Sequence, residues 1–273
     1  MPTLHLDRRA WKRRRAAEVS YWWHSLDLGD GVITSGHKTR DMLSAELAAL
    51  SLPVLAGKTV LDVGSWDGFF AFEAERRGAR RVVALDYFFW RVDPTTLDQF
   101  VSGGYAEGRA PAHWEELPQL WSDETPGKLG FDVAHEALGS QVEDMVADFM
   151  TVDLDELGSF DVVLFLGVLY HLRHPLAALQ RLRALTNEVA VIETHANFWP
   201  GLENRAFCEF LELDELNQDH ENWWVPNLKA LLALCRTAGF GSVRVCQGPP
   251  SAYEAMPVGS PPIGYRAVVH AYP

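Results

Sequence analysis

The feature that most constrains this chain is a nearly uninterrupted apolar run, Phe160-Asp161-Val162-Val163-Leu164-Phe165-Leu166-Gly167. A strand with one face in water alternates apolar and polar residues. A run broken only by Asp161 therefore predicts a strand buried on both faces, in the middle of a sheet covered by helices on each side. The surrounding pattern supplies those layers. Residues 59–64 read as a second buried strand. Residues 69–77 read as a helix with Phe69, Phe70 and Phe72 on its apolar face and Glu73, Glu75, Arg76 and Arg77 outward, and residues 81–86 as another strand. Further along come a short helix over 131–138, a weak strand over 142–148, a helix over 175–185 that opens on Pro175, a strand over 188–195, and a helix over 226–238 stopped by Gly239. Proline suits the first helical turn because its missing N–H would have no partner there. Residues 242–247 and 265–272 close the pattern as two strands with no helix between them, expected to be antiparallel. The expectation is an α/β fold with a doubly wound, mostly parallel seven-stranded sheet.

Two long stretches, near 88–130 and 196–224, break the alternation. They hold Trp90, Trp114, Trp121, Trp199, Trp223 and Trp224, and loops of such length in a compact domain usually cover a site. Residues 1–50 are expected as a helical arm and lid, ahead of a 51–273 domain that carries the two insertions. The formal charge is −13 and is unevenly spread. Arg8, Arg9, Lys12, Arg13, Arg14 and Arg15 face one acid, Asp7, in the first fifteen residues, leaving eighteen basic against thirty-six acidic groups, or −18, in the rest. That field repels polyanions, so a broad nucleic-acid surface is not expected; the basic start reads as a solvated helix. The longest apolar stretch, residues 162–170, is far short of the ~20 residues a membrane span requires. Glu18 and His24 interrupt any secretory h-region. Cys208, Cys235 and Cys246 form no close pair, which argues against a zinc or disulfide framework and for a reducing cytoplasm.

The motif that carries chemistry is Leu61-Asp62-Val63-Gly64-Ser65-Trp66-Asp67-Gly68, a strand passing through a tight turn into a helix. Gly64 and Gly68 permit close backbone approach to a ligand at a helix N-terminus. The spacing lacks the third glycine of a dinucleotide fingerprint and the Lys-Ser/Thr of a P-loop. Asp62 and Asp67 flank the turn and suit a cationic or zwitterionic ligand better than pyrophosphate. Asp86 ends the next strand, where an acid accepts both ribose hydroxyls in nucleotide-binding sheets.

From residue 58 onward the chain resembles class I S-adenosylmethionine-dependent methyltransferases. The resemblance rests on Asp62–Gly68, Leu85-Asp86, Ala147-Asp148-Phe149 and the strand ending in Gly167-Val168-Leu169-Tyr170-His171. With Pro175-Leu176, Glu193-Thr194 and Ala238-Gly239-Phe240 added, it looks like the branch that contains the tRNA wobble-uridine carboxymethyltransferases and many small-molecule enzymes. The resemblance implies S-adenosylmethionine as cofactor. The turn Asp62, Gly64, Ser65, Trp66, Asp67 and Gly68 would hold its methionine part, Asp86 its ribose, Asp148 and Phe149 its adenine, and Leu166 and Gly167 would line the methyl-donor pocket. Trp66 stands where the branch usually has glycine. That branch reads a carboxylated donor with a Lys, a Tyr and an Arg. Tyr170 and Arg266 match the last two, while His24 falls at the lysine position, which favours the ordinary donor because histidine is mostly neutral near pH 7.

Methyl transfer gains most from alignment, worth ~7–11 kcal/mol, and an alkyl hydroxyl also needs a base worth roughly 100- to 10,000-fold. Candidates lie past the carboxyl ends of the strands: Tyr170, His171, Glu193 and His195. His171 is read either as the base or as a cap of the following helix. Glu193 and His195, two residues apart on one strand face, are read as a base with its orienter, a substrate-orienting pair, ligands of a divalent metal such as Mg2+, or a buried structural pair. Tyr21, Trp23, His24, Trp199 and Arg266 are the expected substrate contacts, because flat aromatic faces and polar groups together suit a neutral polyhydroxylated acceptor. The expected activity is O-methylation of a small hydroxylated molecule, a sugar or natural product, with tRNA modification as the rival reading. The expected partners are that acceptor and, compatible with the sequence, further copies of the chain, with nucleic acid and membrane unlikely.

Overall fold

The structure, a computed structural model, describes residues 3–87, 99–100, 103–104, 127–212, 214–217 and 221–273. Most of the insertion expected near 88–130, with Trp90, Trp114 and Trp121, lies outside the described residues. The first strands and helices follow the sequence pattern closely: β1 (Thr59–Val63), α3 (Phe69–Arg76) and β2 (Arg81–Asp86), preceded by α1 (Thr3–Glu18) and α2 (Arg40–Leu50). Then come α4 (Leu129–Leu138), β3 (Glu143–Val146), α5 (Leu154–Leu157), β4 (Phe160–Leu166), a 3-10 turn (Leu169–His171), α6 (Pro175–Leu185) and β5 (Thr186–Phe198). The chain continues through β6 (Cys208–Phe210), β7 (Trp224–Pro226), α7 (Leu228–Thr237), β8 (Ser242–Gln247) and β9 (Ile263–Tyr272).

The main sheet has seven strands in the order β3-β2-β1-β4-β5-β9-β8. β1 pairs in parallel with both β2 and β4, so that Asp62 stands beside Ala84 on one side and Leu164 on the other. Only β9 runs against its neighbours, β5 and β8. The apolar run at 160–166 is therefore central, as its composition requires. Leu61, Val63, Val83, Leu85, Val163 and Phe165 face one layer with Leu179, Leu182 and Leu231. Their alternate neighbours Val60, Val82, Ala84, Val162 and Leu164 face the other, with Phe70, Phe72, Phe131 and Val133.

Four local differences from the sequence reading have physical causes. Glu73 is buried rather than outward: its carboxylate accepts from Arg76 Nε at 2.8 Å and Arg77 Nε at 2.7 Å, so its charge is paired where it enters the protein. The last long helix starts at Leu228, because Asn227 caps it by accepting from Ala230 N, and Pro226 belongs instead to β7. β5 runs on to Phe198, past the end of β4, because β9 supplies an antiparallel partner as far as Ile263. Finally, α1 is docked rather than freely solvated: Lys12 is buried and donates to Leu28 O at 2.6 Å and to Asp30 at 2.8 Å, while Arg8, Arg9, Arg13 and Arg14 stay exposed.

Candidate active site

The carboxyl ends of β1, β2 and β4 converge on the turn at 64–68. Gly64 has φ +75° and donates its N–H to Leu85 O at 2.8 Å; a Cβ built on it would lie 2.6 Å from Val168 Cγ2. Gly68, at φ +85°, would meet Phe72 at 2.6 Å and Phe131 at 2.8 Å. Both positions thus exclude any side chain. Trp66 adopts φ +50° although it is not glycine. Its backbone N–H donates to Asp86 Oδ2 at 2.7 Å, and its ring lies 5.5 Å from that of Trp23. The other Asp86 oxygen accepts from Tyr87 N at 2.7 Å. Burial pushes the Asp86 carboxyl up to about 6 despite those two donors.

Two buried polar atoms at this turn, Asp62 Oδ2 and Ser65 Oγ, have no hydrogen-bond partner among the described residues. Asp62 is 1% exposed, and burial first, then the neighbouring Asp86 charge, lifts its carboxyl to about 8. Buried polar groups are normally satisfied, and an ammonium with adjoining hydroxyls would satisfy both atoms. The lining of the cradle is compatible with the aminocarboxypropyl and ribose parts of S-adenosylmethionine, which Asp62, Ser65 and Asp86 could hold.

Asp67 turns the other way. It accepts from Trp23 N at 2.9 Å and His24 N at 2.8 Å, and its second oxygen pairs with His24 Nδ1. Asp148 ends the turn after β3 by accepting from Met150 N at 2.8 Å, beside the Ala147 N–H that donates to Asp86 O. The Phe149 ring packs into the core 5.3 Å from Phe165, and its carbonyl accepts from Arg181 Nε at 2.8 Å. Leu166 ends β4, and Gly167 follows at φ +74° with its N–H on Glu193 O.

On the far side of Gly167 the structure brings Tyr170, Glu193 and Arg266 together. Arg266 directs Nε and Nη2 at the two Glu193 oxygens and donates Nη1 to Tyr170 OH at 3.3 Å. His195 stands opposite Arg266 in the β5–β9 ladder. Its hydrogen bond goes to Asn197, not to Glu193, and burial followed by the Arg266 charge lowers its pKa to about 4. Asn197 in turn donates to Glu209 at 2.6 Å. The His171 ring lies 4.3 Å from that of Tyr170, tilted by 44°, and places Nδ1 3.1 Å from Glu221 O. A carbonyl only accepts, so Nδ1 is the donor in this contact.

Glu193 and His195 do not suit a divalent ion, because both Glu193 oxygens are engaged by a guanidinium. Among the described residues no three His, Cys, Asp or Glu side chains come together as an ion site. Trp199, beyond the end of β5, leaves its buried Nε1 without a partner among the described residues. Tyr21 is half exposed and borders a cavity of about 500 Å³ with Ser20, Trp22, Ile33, Ser35 and His37. Sequence reasoning missed His37, which stacks on Trp23 at 4.9 Å, and Val168, which closes on Gly64. It also missed Gly264, where a Cβ would lie 2.7 Å from His195 Nε2. Val168 lies inside the 167–171 motif but was given no role; His37 and Gly264 lie in no local motif.

The strand order and the glycine-bounded turn with flanking carboxylates define a Rossmann-like methyltransferase fold. A family profile described as "Methyltransferase domain" matches residues 36–245, and the chain belongs to that family. Among relatives, a tRNA U34 carboxymethyltransferase of Colwellia psychrerythraea is 28% identical over 193 residues, covering 70% of this chain and 47% of that protein. One of Shewanella loihica is 30% identical over 192 residues, covering 70% and 46%. The chain thus spans about half the length of these relatives. Among solved structures, the N-terminal domain of EvdMO1, crystallised in the presence of SAH and D-fucose, superposes with a TM-score of 0.61 at 20% identity over 97% of both chains.

Proposed function

We propose that the protein transfers a methyl group from ordinary S-adenosylmethionine to a hydroxyl of a small, ring-bearing polar acceptor, with His171 as the base. The observation that carries this reading is the pairing of Arg266 with Glu193. A guanidinium already matched by a carboxylate is a poor reader of a second one, and His24, at the other expected reading position, is spent on Asp67. That favours a donor without an extra carboxylate. The bound donor supplies a methyl carbon activated by its sulfonium. Asp62, Ser65 and Asp86 orient it, and His171 Nε2 takes the proton from the attacking hydroxyl. His171 is held for this by the Glu221 carbonyl behind it. The Trp199 indole N–H is a donor for a further acceptor hydroxyl. The acidic body and absence of close cysteine pairs support a cytoplasmic, small-molecule enzyme.

Action on a tRNA wobble uridine is the second reading, favoured by the names of the relatives and by the Tyr170–Arg266 contact. The test incubates the protein with S-adenosylmethionine or its carboxylated form, against bulk tRNA and a panel of 6-deoxyhexoses and their glycosides, the first probes because a structural neighbour was crystallised with D-fucose. The expected result is release of demethylated donor with hydroxylated small acceptors and the ordinary donor. Modification of tRNA, or preference for the carboxylated donor, overturns the proposal.

A further inference from the structure

The residue expected to hold cofactor, Asp67, holds protein instead. We propose that Asp67 is a positioning residue that fastens residues 21–38 onto the cofactor turn, so that the donor cradle is complete only while that segment is docked. The inference rests on the reading of the turn as the donor site and goes beyond it by assigning the groups that build the turn.

Asp67 is 2% exposed, yet among the described residues its carboxylate meets no basic side chain other than the His24 ring. The hydrogen bonds it receives from the described residues come from two consecutive positions of the N-terminal segment, the Trp23 and His24 backbone N–H groups and His24 Nδ1. The His24 ring is sandwiched by the start of α3, stacked 5.4 Å from Phe69 and edge-on 5.6 Å from Phe70. Trp23 lies between His37 at 4.9 Å and Trp66 at 5.5 Å.

The segment is a folded unit in its own right. Ser25 N donates to Lys38 O, Lys38 N to Trp23 O, and Thr34 Oγ1 bridges Leu26 N and His24 O. Asp67 is its polar attachment to the turn. Its other contacts lie elsewhere: Lys12 donates to Leu28 O, Trp22 Nε1 donates to Ala16 O, Lys38 pairs with Glu46 of α2, and Trp22, Leu26, Leu28 and Val32 are buried in the layer that holds Phe70 and Phe131.

Docking bears directly on the cradle through Trp66. A non-glycine residue at φ +50° is strained and persists only where its surroundings impose it. Trp23 packs on the ring of that residue, and the backbone N–H of the same residue fixes Asp86, the ribose carboxylate. Undocking the segment releases Trp66, and with it the orientation of Asp86. By reciprocity, a ligand that needs Asp86 in place tightens the docking.

The test follows amide hydrogen exchange of residues 21–38 and calorimetry with S-adenosylhomocysteine in the wild type, Asp67→Ala and Asp67→Asn. In the wild type, the ligand is expected to slow exchange in residues 21–38. In D67A those amides should exchange at least tenfold faster, ligand-induced protection there should vanish, and affinity should fall at least tenfold, while β1 and β4 keep their protection. D67N, which retains one acceptor oxygen, should fall between. Were D67A not to fold, His24→Gln and Trp23→Ala serve the same measurement with Asp67 intact. Wild-type affinity in D67A, or ligand-induced protection of residues 21–38 that survives the substitution, overturns the proposal. A wild type that binds no ligand overturns the reading of the donor site, a separate result.

Discussion

Asp62→Asn should make the protein more stable and a worse binder of donor, and the structure gives the size of both effects. The Asp62 carboxyl is buried, has an unpartnered oxygen, and sits near 8 instead of 3.8. A carboxyl whose folded value is raised binds a proton more tightly in the folded than in the unfolded chain. Its contribution to stability is therefore fully present below about pH 4 and is lost as pH rises to about 8. At ~1.4 kcal/mol for each unit, the whole loss is on the order of 5 kcal/mol. An asparagine carries no such proton, so its buried amide costs about 1–3 kcal/mol at every pH. Urea midpoints should fall for the wild type up to about pH 8, whereas for D62N the fall, set by Asp86, should be largely complete by about pH 6, with D62N the more stable at the upper end. An ammonium beside Asp62 requires the ionised carboxylate. Wild-type binding of S-adenosylhomocysteine near pH 7 should then release a proton, visible as calorimetric heats that vary with the ionisation enthalpy of the buffer. D62N should release none there and bind roughly ten- to a hundredfold more weakly, the worth of one hydrogen bond to a charged group. Parallel pH dependence of the two proteins, or wild-type binding without proton release, refutes the argument.

Gly64→Ala combines a left-handed backbone with a Cβ only 2.6 Å from Val168 Cγ2. It should destabilise by about 1–3 kcal/mol, read as a lowered Tm, and Val168→Ala should restore only the part due to the clash. Glu193→Gln leaves Arg266 without its carboxylate. Because the Arg266 side chain is 37% exposed, water should limit the stability loss to a few degrees of Tm, while affinity for a carboxylated donor should rise about tenfold; an unchanged ratio of the two donors' affinities would show that Glu193 does not set donor choice. His171→Gln should lower methyl transfer roughly 100- to 10,000-fold and leave calorimetric donor affinity within twofold; equal losses in both would make His171 structural.

The main sheet was legible because its signal is local and redundant. An apolar run at 160–166 admits no other place in a layered fold, and Pro175, Gly239 and the closing strand pair punctuate the pattern independently. The tight turn at 64–68 was legible for a related reason: Gly64 and Gly68 are constrained by backbone geometry and Asp86 by the end of its strand. What escaped the sequence depends on contacts between distant segments. Asp67 sits inside the motif and looks like its neighbours, but which way its carboxylate points is decided by residues 23 and 24. The pairing of Glu193 with Arg266 spans 73 positions, and no periodicity records it. Glu73 followed the helical pattern outward until Arg76 and Arg77 drew it in. β5 was read short because its extension exists only against β9.

That last strand carries a consequence for how the molecule is made. β9 lies between β5 and β8 in space yet is translated after both. Until residues 263–272 leave the ribosome, β5 presents a long, bare, largely apolar margin, the kind of edge that recruits stray chains. The same late arrival delivers Arg266 to Glu193 and Tyr170. A nascent chain therefore joins Arg266 to Glu193 and Tyr170 and covers its bare flank in the same step, and a chain broken off before that point is expected to clump.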